Sequence, residues 1–254
     1  MPDQRRPLIA TAFVAAAWLA FRVLGQDLSP AAEGLLKLGL WVVPCFVAVW
    51  WSTGLNGGAL KSALGLAGSV WGGIAFGVLA TLPILAIVAA QAPRSPGVVY
   101  VASFQLARII RDWNVVVGNV LTGPYAEEVL FRGFVLFELS TVARWPASRV
   151  IAMSGVLFGL AHLGNGGGFL QIPGIALGGA VFAWIALHRR TIWPAIGLHA
   201  CLNLWWDLFP SQALLGHAPS LLVAGLLVFG LRAFDRRRAT NVSFARGDAT
   251  QSMQ

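Results

Sequence analysis

Charged residues are scarce in this sequence of 254 residues. They make up 11% of the chain, whereas a soluble domain has about 25%. Hydrophobic residues make up 57%, and the mean hydropathy is +0.72. One transmembrane helix needs about 20 apolar residues, and apolar runs of roughly that length recur along almost the whole chain. The composition therefore excludes a soluble fold and predicts a membrane domain.

Cysteine is also rare, since the chain has only Cys45 and Cys201, both within apolar runs. This excludes a disulfide framework and gives no support to a cysteine metal site. The formal net charge is +8, but the arginines and lysines stand singly or in short groups between apolar segments, as in the cytoplasmic loops of membrane proteins. We interpret the basic balance as a topology signal, with the lipid bilayer rather than nucleic acid as the partner.

The apolar runs predict an all-α fold, a polytopic bundle of about eight transmembrane helices. The predicted spans are residues 8–24, 35–51, 66–90, 113–139, 150–163, 172–187, 192–208 and 219–234. The first span follows Arg5 and Arg6, as in a signal peptide, but no small-residue cleavage site follows it, so we expect it to be retained. The segment 98–112 mixes charged and apolar residues and is expected to lie in the membrane interface.

Residues 1–235 are expected to form one transmembrane domain, and the polar residues 236–254 a disordered cytoplasmic tail. Basic residues fall at alternate ends of the predicted spans, so both termini are expected to be cytoplasmic, in an integral protein of the bacterial inner membrane. The loops 164–171 and 210–218 contain no Lys or Arg and are expected to be external.

Three groups of polar residues lie inside the apolar segments, where an ionised side chain costs at least about 2.5 to 3.5 kcal/mol and needs a partner or a purpose. They are Glu127, Glu128 and Arg132; Phe158 and His162; and His199 and Asn203. Glu128 and Arg132 are four residues apart, so they share a helix face and are expected to pair, as structural support of the site. Glu127 is turned about 100° away with no partner on its own helix, which leaves it free for chemistry.

The second and third groups contain two histidines. His199 and Asn203 are four residues apart and present two polar side chains in one direction. A lone histidine on an apolar helix is usually a packing residue, so this pair is more informative than His162 alone. Phe158, one turn before His162, is expected to serve packing.

In order, spacing and placement on successive apolar segments, the three groups resemble the CPBP family of intramembrane CAAX-prenyl-protease and bacteriocin-processing proteins. The family pattern is Glu-Glu-x-x-x-Arg, then Phe-x-x-x-His, then His-x-x-x-Asn or a similar residue, and the resemblance covers residues 123–207. It implies a bundle of about eight transmembrane helices whose catalytic groups face a water-accessible cavity. It also implies a metal-free glutamate protease that cleaves a membrane-associated peptide or protein.

The residue types themselves suit amide hydrolysis. A Glu beside a His can take a proton from an attacking water, so Glu127 is the expected general base and His162 its partner in holding the water. An imidazole and a carboxamide on one face can donate to a developing oxyanion, which is the role expected of His199 and Asn203.

Other interpretations stay open at this point. Two histidines and one glutamate also form a zinc set, so Glu127, His162 and His199 are alternative metal ligands. The chain lacks the His-Glu-x-x-His helix of common zinc proteases, and no cofactor is favoured. A non-catalytic immunity or scaffold relative would be expected to lose a motif group, and a proton-coupled transporter to show pseudo-symmetric halves; neither feature is visible in the sequence.

Overall fold

The computed structural model describes residues 5–25, 28–91, 107, 111–163, 171–209 and 216–233. Throughout this part of the chain the regular secondary structure is helical, without strands. The helices are α1 (Arg5–Leu24), α2 (Pro30–Thr53), α3 (Gly57–Ala63), α4 (Val70–Gln91), α5 (113–142), α6 (Ala147–Ala161), α7 (Ile172–Arg189), α8 (Trp193–Leu208) and α9 (Gly216–Ala233). The predicted all-α membrane bundle is confirmed.

Each of the eight predicted spans coincides with one of these helices, and the short α3 was not predicted. Among the described residues, five helices are long and apolar enough to cross a membrane, namely α1, α2, α4, α7 and α9. The number of spans therefore stays a prediction. The segments 98–112, 164–171, 210–218 and 236–254 lie largely or wholly outside the described residues.

The least regular helix is α5, which carries Glu127 and Glu128. Its backbone takes the wider π pattern at Val116–Thr122, Val129–Val135 and Glu138–Val142. Pro124 lies between the first two π segments and has no N–H to donate. Such π segments are rare and concentrate at functional sites, where they change the direction in which the following side chains point.

The centre of the bundle is α5, because its side chains are buried against several neighbours. Ala126, Val129 and Phe134 are almost completely buried and share one apolar core with residues of α1, α2, α6 and α7. By contrast, α1, α4 and α9 expose many large apolar side chains. A surface of this kind is suited to lipid rather than water.

Two glycines allow α2 to approach α5 closely. A Cβ on Gly34 would collide with the Thr122 hydroxyl, and one on Gly118 would collide with the Pro30 carbonyl. Small residues permit such close contacts between membrane helices. The contact brings Lys37, three residues after Gly34, beside Glu127 on α5.

Candidate active site

Glu127 lies at the centre of the candidate site and is 8% exposed. Its Oε1 accepts a hydrogen bond from Lys37 Nζ at 3.0 Å. Its Oε2 has no hydrogen-bond partner among the described residues. The Nε2 atoms of His162 and His199 each lie 3.8 Å from this Oε2. Three atoms from three different helical segments therefore converge on one point.

His162 directly follows the end of α6. Its Nδ1 lies 2.8 Å from the Phe158 carbonyl oxygen, and because a carbonyl can only accept, Nδ1 carries the proton. The end of α6 is also bound by α1, since Arg22 Nη2 donates to the Leu163 carbonyl at 2.6 Å. In the neutral ring, Nε2 is left without a proton and faces Glu127.

His199 is oriented by Glu128. Its Nδ1 lies 2.9 Å from Glu128 Oε1, and the same oxygen accepts a bond from Arg132 Nη1 at 3.1 Å. The predicted pairing of Glu128 with Arg132 is confirmed, with both side chains fully buried. The contact with His199 was not foreseen. A carboxylate bound to one imidazole nitrogen fixes the ring and directs the other nitrogen, here toward Glu127.

The Phe158 ring packs, as expected, but its neighbours are the polar groups of the site. The Arg132 guanidinium lies 4.2 Å from its centroid, within the range of a cation–π contact. The rings of His162 and His199 lie 4.6 and 5.8 Å from it. Arg132 Nη2 also donates to the Gly179 carbonyl of α7 at 2.9 Å. The Phe158 ring thus contacts the buried arginine and both histidines.

Asn203 lies one turn after His199 on α8, and its Nδ2 donates to the Asn119 carbonyl at 2.9 Å. In the π pattern of Val116–Thr122, the backbone donor for that carbonyl would be residue 124, which is a proline. The Asn203 amide supplies the missing donor. Among the described residues, the Asn203 side chain therefore bonds to the backbone of α5 and not to Glu127 or the histidines.

Lys37 is the polar neighbour that sequence reasoning missed. Its Nζ lies 3.0 Å from Glu127 Oε1 and also 3.0 Å from Glu33 Oε1. Glu127 has no partner on its own helix, as the sequence predicts, but α2 supplies one. The sequence carried a signal for Lys37 as a paired intramembrane cation, because Lys37 stands in an apolar run four residues after Glu33.

The separations around Glu127 can be compared with those between zinc ligands. Ligands of a tetrahedral zinc, each bound at about 2.0 to 2.1 Å, lie about 3.3 Å from one another. Glu127 Oε2 is 3.8 Å from each histidine Nε2. In the part of the chain that the structure describes, no group of three or more His, Cys, Asp or Glu side chains has the arrangement of a metal site.

Residues 110–205 match the family model of Rce1-like proteins, described as type II CAAX prenyl endopeptidases. The matched segment contains every residue of the three motifs, from Glu127 to Asn203. No curated protein sequence and no solved structure matches the chain. The resemblance given by the motif spacing is confirmed over residues 110–205, and the apolar helices indicate an integral membrane protein.

Proposed function

We propose that this Rce1-like membrane protein is an endopeptidase that hydrolyses a peptide bond of a membrane-associated peptide or protein. The proposed catalytic residues are Glu127, His162, His199 and Asn203. The convergence of Glu127 Oε2 with two imidazole Nε2 atoms carries the proposal. A water placed about 2.8 Å from an oxygen and a nitrogen that are 3.8 Å apart makes good hydrogen bonds to both. Glu127 Oε2 and the two histidine Nε2 atoms therefore form a binding site for one nucleophilic water.

Glu127 is the proposed general base. The water oxygen attacks the carbonyl carbon of the scissile amide while Glu127 Oε2 takes one of its protons, and His162 Nε2 holds the water in line. When the tetrahedral intermediate collapses, the C–N bond breaks and Glu127 returns the proton to the leaving nitrogen. The carboxylate is then restored and the products are a carboxylic acid and an amine.

His199 is the proposed oxyanion donor, in its imidazolium form. Within the site, the carboxylates of Glu33, Glu127 and Glu128 and the cations of Lys37 and Arg132 sum to −1. One additional proton on an imidazole makes the cluster neutral, which suits a site inside a bilayer. Glu128 on Nδ1 supports that charge, as a buried carboxylate does for a catalytic imidazolium.

Asn203 is the proposed second donor to the oxyanion. A carboxamide nitrogen has two hydrogens, and one of them is used in the bond to the Asn119 carbonyl. That bond fixes the carboxamide one turn from His199 and leaves the second hydrogen for the substrate. A donor whose orientation is set before the reaction stabilises the developing charge without a reorganisation cost.

We further propose that both termini face the cytoplasm of a bacterium and that the site opens from mid-membrane to the outer face. On this topology, His162 lies at the outer end of α6 and Glu33, whose side chain is 39% exposed, at the outer end of α2. Lys37 is seven residues, about 10 Å, inside that end. Such a site favours membrane segments of exported proteins over cytoplasmic prenylated tails as substrates.

The test compares newly formed protein N-termini in the membrane and secreted fractions of cells that express the wild type or Glu127→Gln. We expect a set of N-termini within membrane-associated segments that is present with the wild type and absent with Glu127→Gln. Glu138→Gln, the same substitution eleven residues further along α5 and outside the site, is the matched control and retains them. Full cleavage by a well-inserted Glu127→Gln protein would refute the proposal.

A further inference from the structure

We propose that Lys37 is a positioning residue for this reaction, which holds Glu127 Oε1 so that Oε2 faces the two histidines. The inference rests on the proposed function and extends it to a part of the chain outside the family match, which begins at residue 110. Lys37 lies on α2, ninety residues before Glu127. The N-terminal helices would then complete the active site as well as span the membrane.

The ammonium group of Lys37 is held on several sides. Its Nζ contacts Oε1 of Glu33 and Oε1 of Glu127, each at 3.0 Å. It also lies 5.6 Å from the ring centroid of Phe21 and 5.3 Å from that of Trp41, within the distance at which a cation is attracted to a ring face. The two rings pack edge to face at 4.8 Å. With only 14% of its side chain exposed, Lys37 is fixed in a built pocket.

The consequence for Glu127 is a distinction between its two oxygens. A carboxylate without partners presents either oxygen and rotates about its side-chain bonds. Lys37 takes Oε1 and leaves Oε2, which has no other partner among the described residues, directed at His162 and His199. Catalysis is sensitive to such orientation, because a misplacement of about 1 Å can cost about 10²-fold in rate.

The packing of α2 against α5 fixes the position of Lys37 relative to Glu127. Gly34, less than one turn before Lys37, meets Thr122 on α5 so closely that no side chain fits between them. Thr122 is five residues before Glu127. The ion pair and the glycine contact therefore join α2 and α5 within about one helical turn of each other. The position of the Lys37 ammonium is set by backbone packing as well as by charge.

Kinetics of Lys37→Met test the inference. Methionine has a similar length without the charge, so the aromatic pocket stays filled while Glu127 loses its partner. We expect kcat to fall about 10-fold to 100-fold, with KM changed less than about twofold because Lys37 touches Glu127 and not the substrate. Lys37→Arg, which keeps a cation, should recover part of the loss. The chain has one other lysine, the exposed Lys61 of α3, and Lys61→Met is the matched control.

Glu127→Gln, assayed beside these variants, separates the two proposals. An active Glu127→Gln protein overturns the proposed function itself, whereas an inactive one together with wild-type kcat in Lys37→Met overturns only the role of Lys37. Equal losses of kcat in folded Lys37→Met and Lys37→Arg proteins also overturn the proposed role of Lys37, because the arginine keeps the positive charge. If Lys37→Met is not recovered from the membrane, Glu33→Gln/Lys37→Met removes one of the two carboxylates that the single change leaves unpaired, and it still deprives Glu127 of its partner. It should lower kcat about 10-fold to 100-fold relative to Glu33→Gln alone, with KM changed less than about twofold, and a kcat equal to that of Glu33→Gln contradicts the inference.

Discussion

Glu128 Oε1 accepts hydrogen bonds from both Arg132 Nη1 at 3.1 Å and His199 Nδ1 at 2.9 Å. One oxygen thus connects the ion pair within α5 with the histidine that faces Glu127. The sequence predicts only the first connection, in which Glu128 serves the helix. The structure gives the same residue a direct contact with a proposed catalytic group, so loss of Glu128 should have two separable effects.

The double variant Glu128→Gln/Arg132→Met separates these effects. Replacing both members of a buried ion pair by neutral residues of similar size is often close to neutral for stability, so the protein should remain folded. The proposed imidazolium of His199 would lose its carboxylate, and kcat should fall by about 10²-fold to 10⁴-fold, the usual range for acid–base support. Thermal unfolding in detergent and peptidase assays measure the two effects. Near wild-type kcat in a folded double variant would contradict the proposed role of His199.

Arg132→Met alone should instead destabilise the protein. It leaves Glu128, whose side chain is fully buried, without the arginine and with His199 as its remaining side-chain partner among the described residues, and removing one member of a buried pair costs about 3 to 5 kcal/mol. We expect a lower membrane level and a lower unfolding temperature than in the double variant. Arg149→Met, at an exposed arginine near the start of α6, is the control and should unfold as the wild type does. Equal stability of the single and double variants would show that the pair does not stabilise α5.

Local patterns along the chain account for what the sequence predicted well. Apolar runs of span length gave the helices, and the spacing of Glu128 and Arg132 gave their ion pair, because both depend on residues at most a few turns apart. The side chains of Glu127, His162 and His199 lie close together, as the joint presence of the three motifs suggests.

Contacts between distant helices were not predictable from the same patterns. The pairing of Lys37 with Glu127 depends on the close approach of α2 and α5 at Gly34, which no periodicity reveals. The bond from Asn203 to the Asn119 carbonyl depends on a π segment before Pro124, and the hydrophobic pattern does not distinguish π from α turns. Both misses concern the backbone packing that orients the site.

Gly34→Ala should displace α2 from α5, because its Cβ would occupy the position of the Thr122 hydroxyl. We expect a destabilisation of about 1 to 3 kcal/mol, as for other overpacked interiors. Adding Thr122→Ala removes the hydroxyl and should recover part of the loss, measured as the shift in unfolding temperature. Gly39→Ala on the same helix, where a Cβ meets nothing within 4 Å, is the control. An unchanged unfolding temperature in Gly34→Ala would contradict the close approach of the two helices.

Metal analysis tests the proposed mechanism against its zinc alternative. The proposed mechanism needs no metal, because Glu127 is its base and His199 with Asn203 its oxyanion donors. We therefore expect purified active protein to contain far less than one zinc per chain, and chelators to inhibit it weakly. One zinc per chain that is lost together with activity in His162→Ala, but retained in His188→Ala on α7, would establish the metal mechanism.

The proposed topology is tested by two single cysteines in a background without Cys45 and Cys201. Thr191 lies between α7 and α8 beside Arg189 and Arg190, so the positive-inside rule places it in the cytoplasm. Ser211 follows α8 and should face outward. In intact cells a membrane-impermeant thiol reagent should label Ser211→Cys and not Thr191→Cys. After the cells are permeabilised, the same reagent should label Thr191→Cys as well, which shows that this cysteine can react. The reverse pattern would turn the end of α6 that precedes His162 toward the cytoplasm, and cytoplasmic prenylated tails would then become the favoured substrates.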